Sequence, residues 1–190
     1  MRQLNSSERW HLAQATRVLR RGGVVLHATE GVWGLACNPY DPLAVATILH
    51  LKGRSIDKGL IVIGADVETF SPELLSLSDE QVGELRASWP GPVTWVLPSK
   101  RFPAWVTGGR SSVAVRVPAH DQARALCAAF AGPLVSTSAN LSGQPPTRSR
   151  IGAIAVFKSH VDYVLAGETS GFSGPSEIRT LYGELIRSGA

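Results

Sequence analysis

Three cations lie close together in one short segment of the sequence. Lys52, Arg54 and Lys58 are separated by few residues, and Gly53 lets the backbone come near a ligand. Lysine and arginine at this density suit the phosphates of a nucleotide or of RNA. A solvated basic loop would have the same composition, so this segment alone leaves both interpretations open.

A further cation, Arg116, lies inside the apolar segment 114–117. A charge in such a place must be paired or face a cavity, because burying an unpaired charge is costly. A planar guanidinium can hold a carboxylate by two parallel hydrogen bonds, and a structural salt bridge is the competing interpretation. The sequence therefore predicts either a carboxylate clamp or an internal ion pair.

Polar side chains follow the apolar segment 133–135. The run from Ser136 to Asn140 supplies hydroxyl and amide groups that can hydrogen-bond a nucleotide or cap the next helix. Ligands of α/β proteins bind where strands end, so we expect the segments rich in such groups to meet there. These segments are 27–35, 52–58, 112–118 and 136–143.

The elements that must position these segments can be predicted from helix caps and apolar periodicity. Capping residues and helix breakers predict helices over about 6–21, 42–52 and 79–88, and periodicity adds one over 121–130. Short apolar runs predict strands at 24–27, 60–63, 93–97, 113–117 and 134–136. The alternation predicts a single α/β domain over residues 1–190, with helices flanking a twisted mixed, largely parallel sheet and hairpin character between Val93 and Val117.

Composition narrows the class of protein. The 190 residues are 44% apolar, enough for one substantial core, and the net charge of +4 could serve nucleotide phosphates, RNA or solubility. Cys37 and Cys127 have no partner at metal-ligand spacing, which predicts a reduced cytoplasmic protein without a zinc site. No apolar run approaches the roughly 18 residues that a membrane helix needs, and no signal peptide is evident.

Several familiar motifs are absent. Neither the P-loop nor the dinucleotide-binding glycine pattern occurs, and there is no nucleophile elbow. Ser55 to Lys58 has the form S-x-x-K, but the K-T-G partner motif of penicillin-binding enzymes is missing. The five histidines are scattered singly, so we expect packed or surface histidines and no protein metal site.

The chain resembles the YrdC-like threonylcarbamoyl-AMP synthases, in their bacterial single-domain form, over nearly its whole length. The hallmark of that family, K-x-R combined with S-x-N, is matched by Lys52, Arg54, Ser138 and Asn140. Three positions depart from its usual pattern: Ala28 replaces Pro, Trp33 replaces Tyr or Phe, and Ser55 replaces Pro. The other matching segments are 29–35, 57–60, 89–94, 114–116, 136–143 and 175–178.

The resemblance implies an enzyme that forms threonylcarbamoyl-AMP and pyrophosphate from L-threonine, bicarbonate or CO2, and ATP, for the modification of tRNA. It implies Lys52 and Arg54 as catalytic residues, and Mg²⁺ that arrives with ATP. It also implies tRNA and downstream threonylcarbamoyl-transferase proteins as partners. The implied ATP-binding residues are Lys52, Arg54, Lys58, Ser112, Ser138, Asn140 and Arg187, and the implied threonine-binding residues are Thr29, Arg116, Ser136 and Ser176.

Two other functions use the same features. A double-stranded RNA or tRNA-binding module without ATP chemistry would also need a basic surface, although the dispersed aromatic residues provide no stripe for base stacking. A carbamoyl-transfer domain like that of hydrogenase maturation factors shares the expected fold. Such domains work within larger chains.

Overall fold

A computed structural model describes residues 5–189, and in this range the strands form one continuous sheet. The strands are β1 (Val25–Ala28), β2 (Trp33–Cys37), β3 (Ile61–Ile63), β4 (Val93–Pro98), β5 (Ser112–Arg116), β6 (Leu134–Ser138), β7 (Tyr163–Val164), β8 (Glu177–Thr180) and β9 (Leu185–Arg187). The helices are α1 (Ser6–Arg20), α2 (Pro42–Lys52), α3 (Ser71–Leu74), α4 (Asp79–Ser88), α5 (Ala104–Thr107), α6 (Asp121–Phe130) and α7 (Arg150–Phe157). Short 3-10 turns cover Ile56–Lys58, Val67–Phe70 and Lys158–His160.

The sheet is mixed, as predicted, but it is not largely parallel. Its strand order is β7-β1-β2-β6-β3-β5-β4-β8-β9. Only β1–β7, β3–β5 and β4–β8 pair in parallel, while β1–β2, β2–β6, β3–β6, β4–β5 and β8–β9 are antiparallel. One cause is β2, which the sequence did not predict and which makes two of the five antiparallel pairs. Residues 29–32 link it to β1, too few for the crossover that a parallel pair requires.

The predicted helix starts are confirmed at the level of individual caps. Asn5 and Glu8 form a capping box at α1, and Ser78 and Gln81 form another at α4. The Asp41 side chain accepts hydrogen bonds from two backbone N–H groups at the start of α2. Gly53 ends α2 in the left-handed region with φ 57°, where a residue without Cβ fits best. That turn fixes the direction in which the basic segment leaves the helix.

The central strands form the rigid base of the molecule. Every residue of β2 is buried, and β1 is buried along its whole length. One apolar cluster includes Trp33, Phe70 and Trp89, and the other contains Leu19 and Leu126 from α1 and α6. Each such side chain stabilises the fold by roughly 1.5 to 3 kcal/mol when fully buried. The polar ends of the central strands are therefore held on a closely packed support.

The C-terminal hairpin joins the sheet at the edge opposite β7. Here β8 pairs with β4 in parallel, and β9 is added outside β8. The sequence analysis did not predict these strands. Both cysteines are buried free thiols. In the part of the chain that the structure describes, no helix is long and apolar enough to cross a membrane.

Candidate active site

A cavity of about 320 Å³ opens where β2, β3, β5 and β6 meet the C-terminal hairpin. This volume is at the lower end of the range for small-molecule sites, about 300 to 1,000 Å³. The structure brings most of the predicted site residues to its wall. They are Thr29, Arg54, Lys58, Ser112, Arg116, Ser136, Ser138, Ser176 and Arg187.

The charged side chains that the structure describes on the cavity wall are all cationic. Five cationic side chains line it, and no acidic residue appears among the described residues of its wall. Like charges in one desolvated space repel each other, so the wall is most stable with an anion inside. Burial and the neighbouring arginines lower the pKa of Arg187 from its ordinary value, consistent with this repulsion. The five cations are Arg54, Lys58, Arg110, Arg116 and Arg187.

Arg54 reaches the cavity directly after the glycine that ends α2. Its Nη2 donates to the carbonyl oxygen of Gly59 at 2.9 Å, which fixes the side chain against the loop. Its Nε is buried and has no hydrogen-bond partner among the described residues. Burial lowers the pKa of this guanidinium from its usual value. An unpaired buried N–H group is costly, so Arg54 is prepared to donate to a ligand.

Arg116 forms a buried ion pair with Glu30. Its Nη2 donates to Glu30 Oε2, and Glu30 Oε1 accepts a hydrogen bond of 2.6 Å from the backbone N–H of Ala119. Burial lowers the pKa of Arg116, and the carboxylate of Glu30 opposes that shift. The Nε of Arg116 is buried without a partner. The salt bridge that the sequence left open thus exists, and Arg116 also lines the cavity.

Lys52 and Asn140 lie behind the cavity wall rather than on it. The Nζ of Lys52 donates to the carbonyl oxygen of Ser138, and to Asn140 O and Oδ1 at 2.8 and 3.2 Å. Ser138 Oγ donates to Asn140 Oδ1 at 2.6 Å. Burial and the charge of Arg54 lower the pKa of Lys52 to about 8. In this arrangement Lys52 fixes the turn after β6, and its role as a direct phosphate ligand stays a prediction.

The predicted threonine-binding hydroxyls are held by neighbouring groups. Thr29 Oγ1 donates to the carbonyl oxygen of Val32 at 2.7 Å and closes the turn between β1 and β2. Ser176 Oγ lies 2.8 Å from Thr94 Oγ1, and Arg187 Nη2 donates to the carbonyl oxygen of Ser176 at 2.6 Å. These contacts fix the hydroxyl oxygens while leaving them lone pairs for a ligand.

The structure gives a role to three residues to which the sequence analysis assigned none individually. Glu30 orients Arg116, Arg110 extends the cationic wall, and His27 approaches Ser136 Oγ to 3.1 Å. The two adjacent glycines before Arg110 were a local signal for a loop near a ligand. The contact between His27 and Ser136 joins residues far apart in the chain, so no local pattern could reveal it.

A second cavity of about 450 Å³ adjoins the first. Arg116, Pro175 and Ser176 line both cavities, and Glu30 lines only the second. The buried pair of Arg116 and Glu30 therefore stands between the two spaces. Among the described residues, no cluster of three or more His, Cys, Asp or Glu side chains could hold a metal ion.

Comparison with known proteins places this geometry in context. The Sua5/YciO/YrdC family, described as "Telomere recombination", matches residues 17–189. A protein of Stutzerimonas stutzeri named threonylcarbamoyl-AMP synthase is 46% identical over 180 residues, covering 94% of this chain and 97% of that one. Many further relatives carry the same name.

Solved structures give the same fold. P. abyssi Sua5, described as complexed with L-threonine, is 32% identical with a TM-score of 0.90, and it covers 99% of this chain. This chain spans only 56% of the length of that Sua5 chain. HypF in a phosphate- and nucleotide-bound form has a TM-score of 0.77 at 21% identity, a similarity that shows the fold alone.

Proposed function

Because the chain belongs to the Sua5/YciO/YrdC family, we propose that its cationic cavity synthesises threonylcarbamoyl-AMP from L-threonine, bicarbonate or CO2, and ATP. One observation carries the assignment to this cavity. Arg54 and Arg116 each have a buried Nε without a partner among the described residues, and both residues line the same space. Two anions, a polyphosphate and an amino-acid carboxylate, would satisfy these donors.

The reaction needs positioning more than a reactive side chain. The amine of threonine adds to CO2, loses a proton and becomes a carbamate. A carbamate oxygen then forms a bond to the α-phosphorus of ATP, and the bond from that phosphorus to the bridging oxygen breaks to release pyrophosphate. Both reactants are anions, so a wall of fixed cations lowers the barrier by holding them together and stabilising the developing phosphoryl charge.

We assign the phosphates to the side of the cavity formed by Arg54 and Lys58. Arg54 is fixed by Gly59, whereas Lys58 is exposed and can follow the ligand. Ser112, Ser138 and Arg187 would contact the rest of the nucleotide. Lys52 and Asn140 would act by holding the turn that presents Ser138, since they bond to each other behind the wall.

The threonine would bind where Thr29, Ser136 and Ser176 surround Arg116. These residues line the cavity together, and the unpartnered Nε of Arg116 is the donor that a carboxylate requires. Mg²⁺ would enter with ATP. Because no carboxylate lines this cavity among the described residues, its ligands would be mainly phosphate oxygens and water, an arrangement common for this metal.

The product is a mixed anhydride that a second protein must consume. We propose that threonylcarbamoyl-transferase proteins pass the group to tRNA in the cytoplasm, and that this chain acts as a single YrdC-like domain over residues 1–190. Direct binding of double-stranded RNA or tRNA without ATP chemistry is the competing function. It would use the same cations as phosphate contacts.

An assay of the purified protein distinguishes the two functions. With Mg²⁺, ATP, bicarbonate and threonine, we expect pyrophosphate release and an adenylate with the mass of threonylcarbamoyl-AMP. Omission of either threonine or bicarbonate should abolish both signals, because their adduct is the nucleophile. Salt-dependent RNA binding without any nucleotide product would instead establish the RNA-binding module.

A further inference from the structure

A histidine on β1 contacts a serine that lies two strands away. His27 Nε2 is 3.1 Å from Ser136 Oγ, and β2 separates their strands in the sheet. His27 pairs in register with Gly34 of β2. A Cβ atom added at Gly34 would lie 3.3 Å from His27 Nε2 and 3.4 Å from Ser136 Oγ. The missing side chain of Gly34 thus leaves the space through which the imidazole reaches across the strand.

The surroundings of the ring decide where its proton lies. His27 is fully buried, and its Nδ1 has no hydrogen-bond partner among the described residues. A buried N–H without an acceptor is rarer than an unused acceptor. The favoured tautomer therefore carries the proton on Nε2, which donates to Ser136 Oγ.

The neighbouring groups keep this ring neutral. Burial, then His120, lower the pKa of His27 to about 3; the backbone of Ala28 opposes this shift, and Arg116 adds to it. His120 accepts from the backbone N–H of Ala123 through Nδ1 and lies 2.9 Å from the carbonyl oxygen of Glu168 through Nε2.

The tautomer determines what Ser136 can offer to a ligand. When Ser136 Oγ accepts from His27, the hydrogen of the hydroxyl must point elsewhere. Ser136 lines the first cavity, that of about 320 Å³. The hydroxyl then serves as a donor toward the cavity, as an anionic oxygen requires. We propose that His27 is a positioning residue that fixes Ser136 as a hydrogen-bond donor to a carboxylate or carbamate oxygen of bound threonine. This inference rests on the proposed function of the cavity.

Two substitutions at His27 separate positioning from packing. In His27→Gln the amide nitrogen can take the place of Nε2, whereas His27→Leu removes the donor and keeps an apolar side chain. A neutral hydrogen bond contributes about 0.5 to 1.5 kcal/mol, so we expect His27→Leu to raise the threonine KM about 2- to 10-fold. The KM for ATP and kcat should stay near their parent values, and His27→Gln should restore most of the threonine affinity. His160→Leu, at an exposed histidine, is the matched control.

A double-mutant cycle tests the route through Ser136. In the Ser136→Ala background, His27→Leu should add almost nothing to the threonine KM. Full additivity, or an unchanged threonine KM in His27→Leu beside a raised one in Ser136→Ala, would overturn the proposal. A parent protein without synthase activity would instead overturn the proposed function.

A spectroscopic measurement on the parent protein covers the case in which these variants do not fold. Nitrogen-15 spectra of the histidine rings should show a neutral His27 protonated on Nε2 at pH 7. The measurement needs no turnover, so it tests the tautomer even if the proposed function fails. A ring protonated on Nδ1, or on both nitrogens, would overturn the positioning role.

Discussion

Two Arg–Glu pairs with buried carboxylates differ in how completely they are bonded. Arg101 gives Nε and Nη2 to the two oxygens of Glu73 at 3.1 and 2.8 Å. Ser99 Oγ also donates to that carboxylate. Arg116 gives only Nη2 to Glu30, and its Nε has no partner. Both oxygens of the first carboxylate are bonded to its arginine, whereas the second pair leaves the Nε of a cavity-lining arginine without a partner.

The comparison shows how to distinguish a structural cation from one that binds a ligand. The burial of the carboxylate does not distinguish the two pairs, because Glu73 and Glu30 are about equally buried, with 1% and 3% of their side chains exposed. An Nε without a partner, in an arginine that lines the cavity, does distinguish them. By this criterion Arg54, like Arg116, is a cation that binds a ligand. Lys52 donates to three oxygens and is, like Arg101, a structural cation.

The largest effect is expected for Arg54→Ala. Loss of charge-assisted bonds worth about 1.5 to 3 kcal/mol should lower kcat/KM for ATP by about 100-fold. The Tm should stay close to that of the parent, since the guanidinium makes only one hydrogen bond within the described structure. Arg17→Ala, at an exposed arginine of α1, is the control. A fall in Tm that accounts for the lost activity would place Arg54 with the structural cations.

A smaller and more specific effect is expected for Arg116→Lys. Lysine keeps the charge but loses the fork, so the threonine KM should rise roughly tenfold, with little change in ATP affinity. The matched change Arg101→Lys should lower the Tm and leave the threonine KM unaltered. If Arg116→Lys lowers the Tm by several degrees with no change in threonine KM, the two pairs are equivalent and the carboxylate is held elsewhere.

The smallest effect on catalysis is expected for Lys52→Met. This change leaves carbonyl oxygens of the turn after β6 without their donor, at a cost of about 1 to 3 kcal/mol. Each kcal/mol lowers the Tm of a protein of this size by about 2 to 4 °C. We expect a lower Tm and only a few-fold change in the KM for ATP. If Lys52→Met instead loses as much activity as Arg54→Ala while its Tm equals that of the parent, Lys52 is a direct phosphate ligand.

The pH dependence of stability supplies a control for Lys52. Its folded pKa of about 8 lies below the ordinary lysine pKa of 10.5, so between these values the unfolded chain binds more protons. The free energy of unfolding of the parent should therefore rise with pH relative to that of Lys52→Met across this window. The free energies of unfolding can be measured by chemical denaturation from pH 7.5 to 9.5. A constant difference between the parent and Lys52→Met over this range would show that Lys52 is not desolvated.

Local patterns predicted the parts of the fold that depend on local chemistry. The caps of α1, α2 and α4 involve residues within a few positions of each other, and the sequence placed them correctly. Strand β2 escaped prediction because its five residues include Gly34 and Ala36, which have low strand propensity, and show no polar–apolar alternation. Without β2, the antiparallel majority of the sheet could not be foreseen.

The candidate site also has features that the local sequence indicated and features that depend on contacts between distant residues. An arginine in an apolar strand indicated a partner or a cavity, and Arg116 has both. Lys52 could not be separated from Arg54 by sequence, since its direction depends on a turn that begins 86 residues later in the chain. The contact of His27 with Ser136 likewise depends on strand order rather than on spacing.

The position of β9 has a consequence for biosynthesis. Arg187 lies on this strand and contributes to the cavity wall together with Thr29 from the turn after β1. A nascent chain that ends before residue 187 can form the central strands but cannot complete the cationic wall. The growing polypeptide should therefore acquire its full affinity for polyphosphate only in the last stage of its synthesis, after most of the core has been able to form.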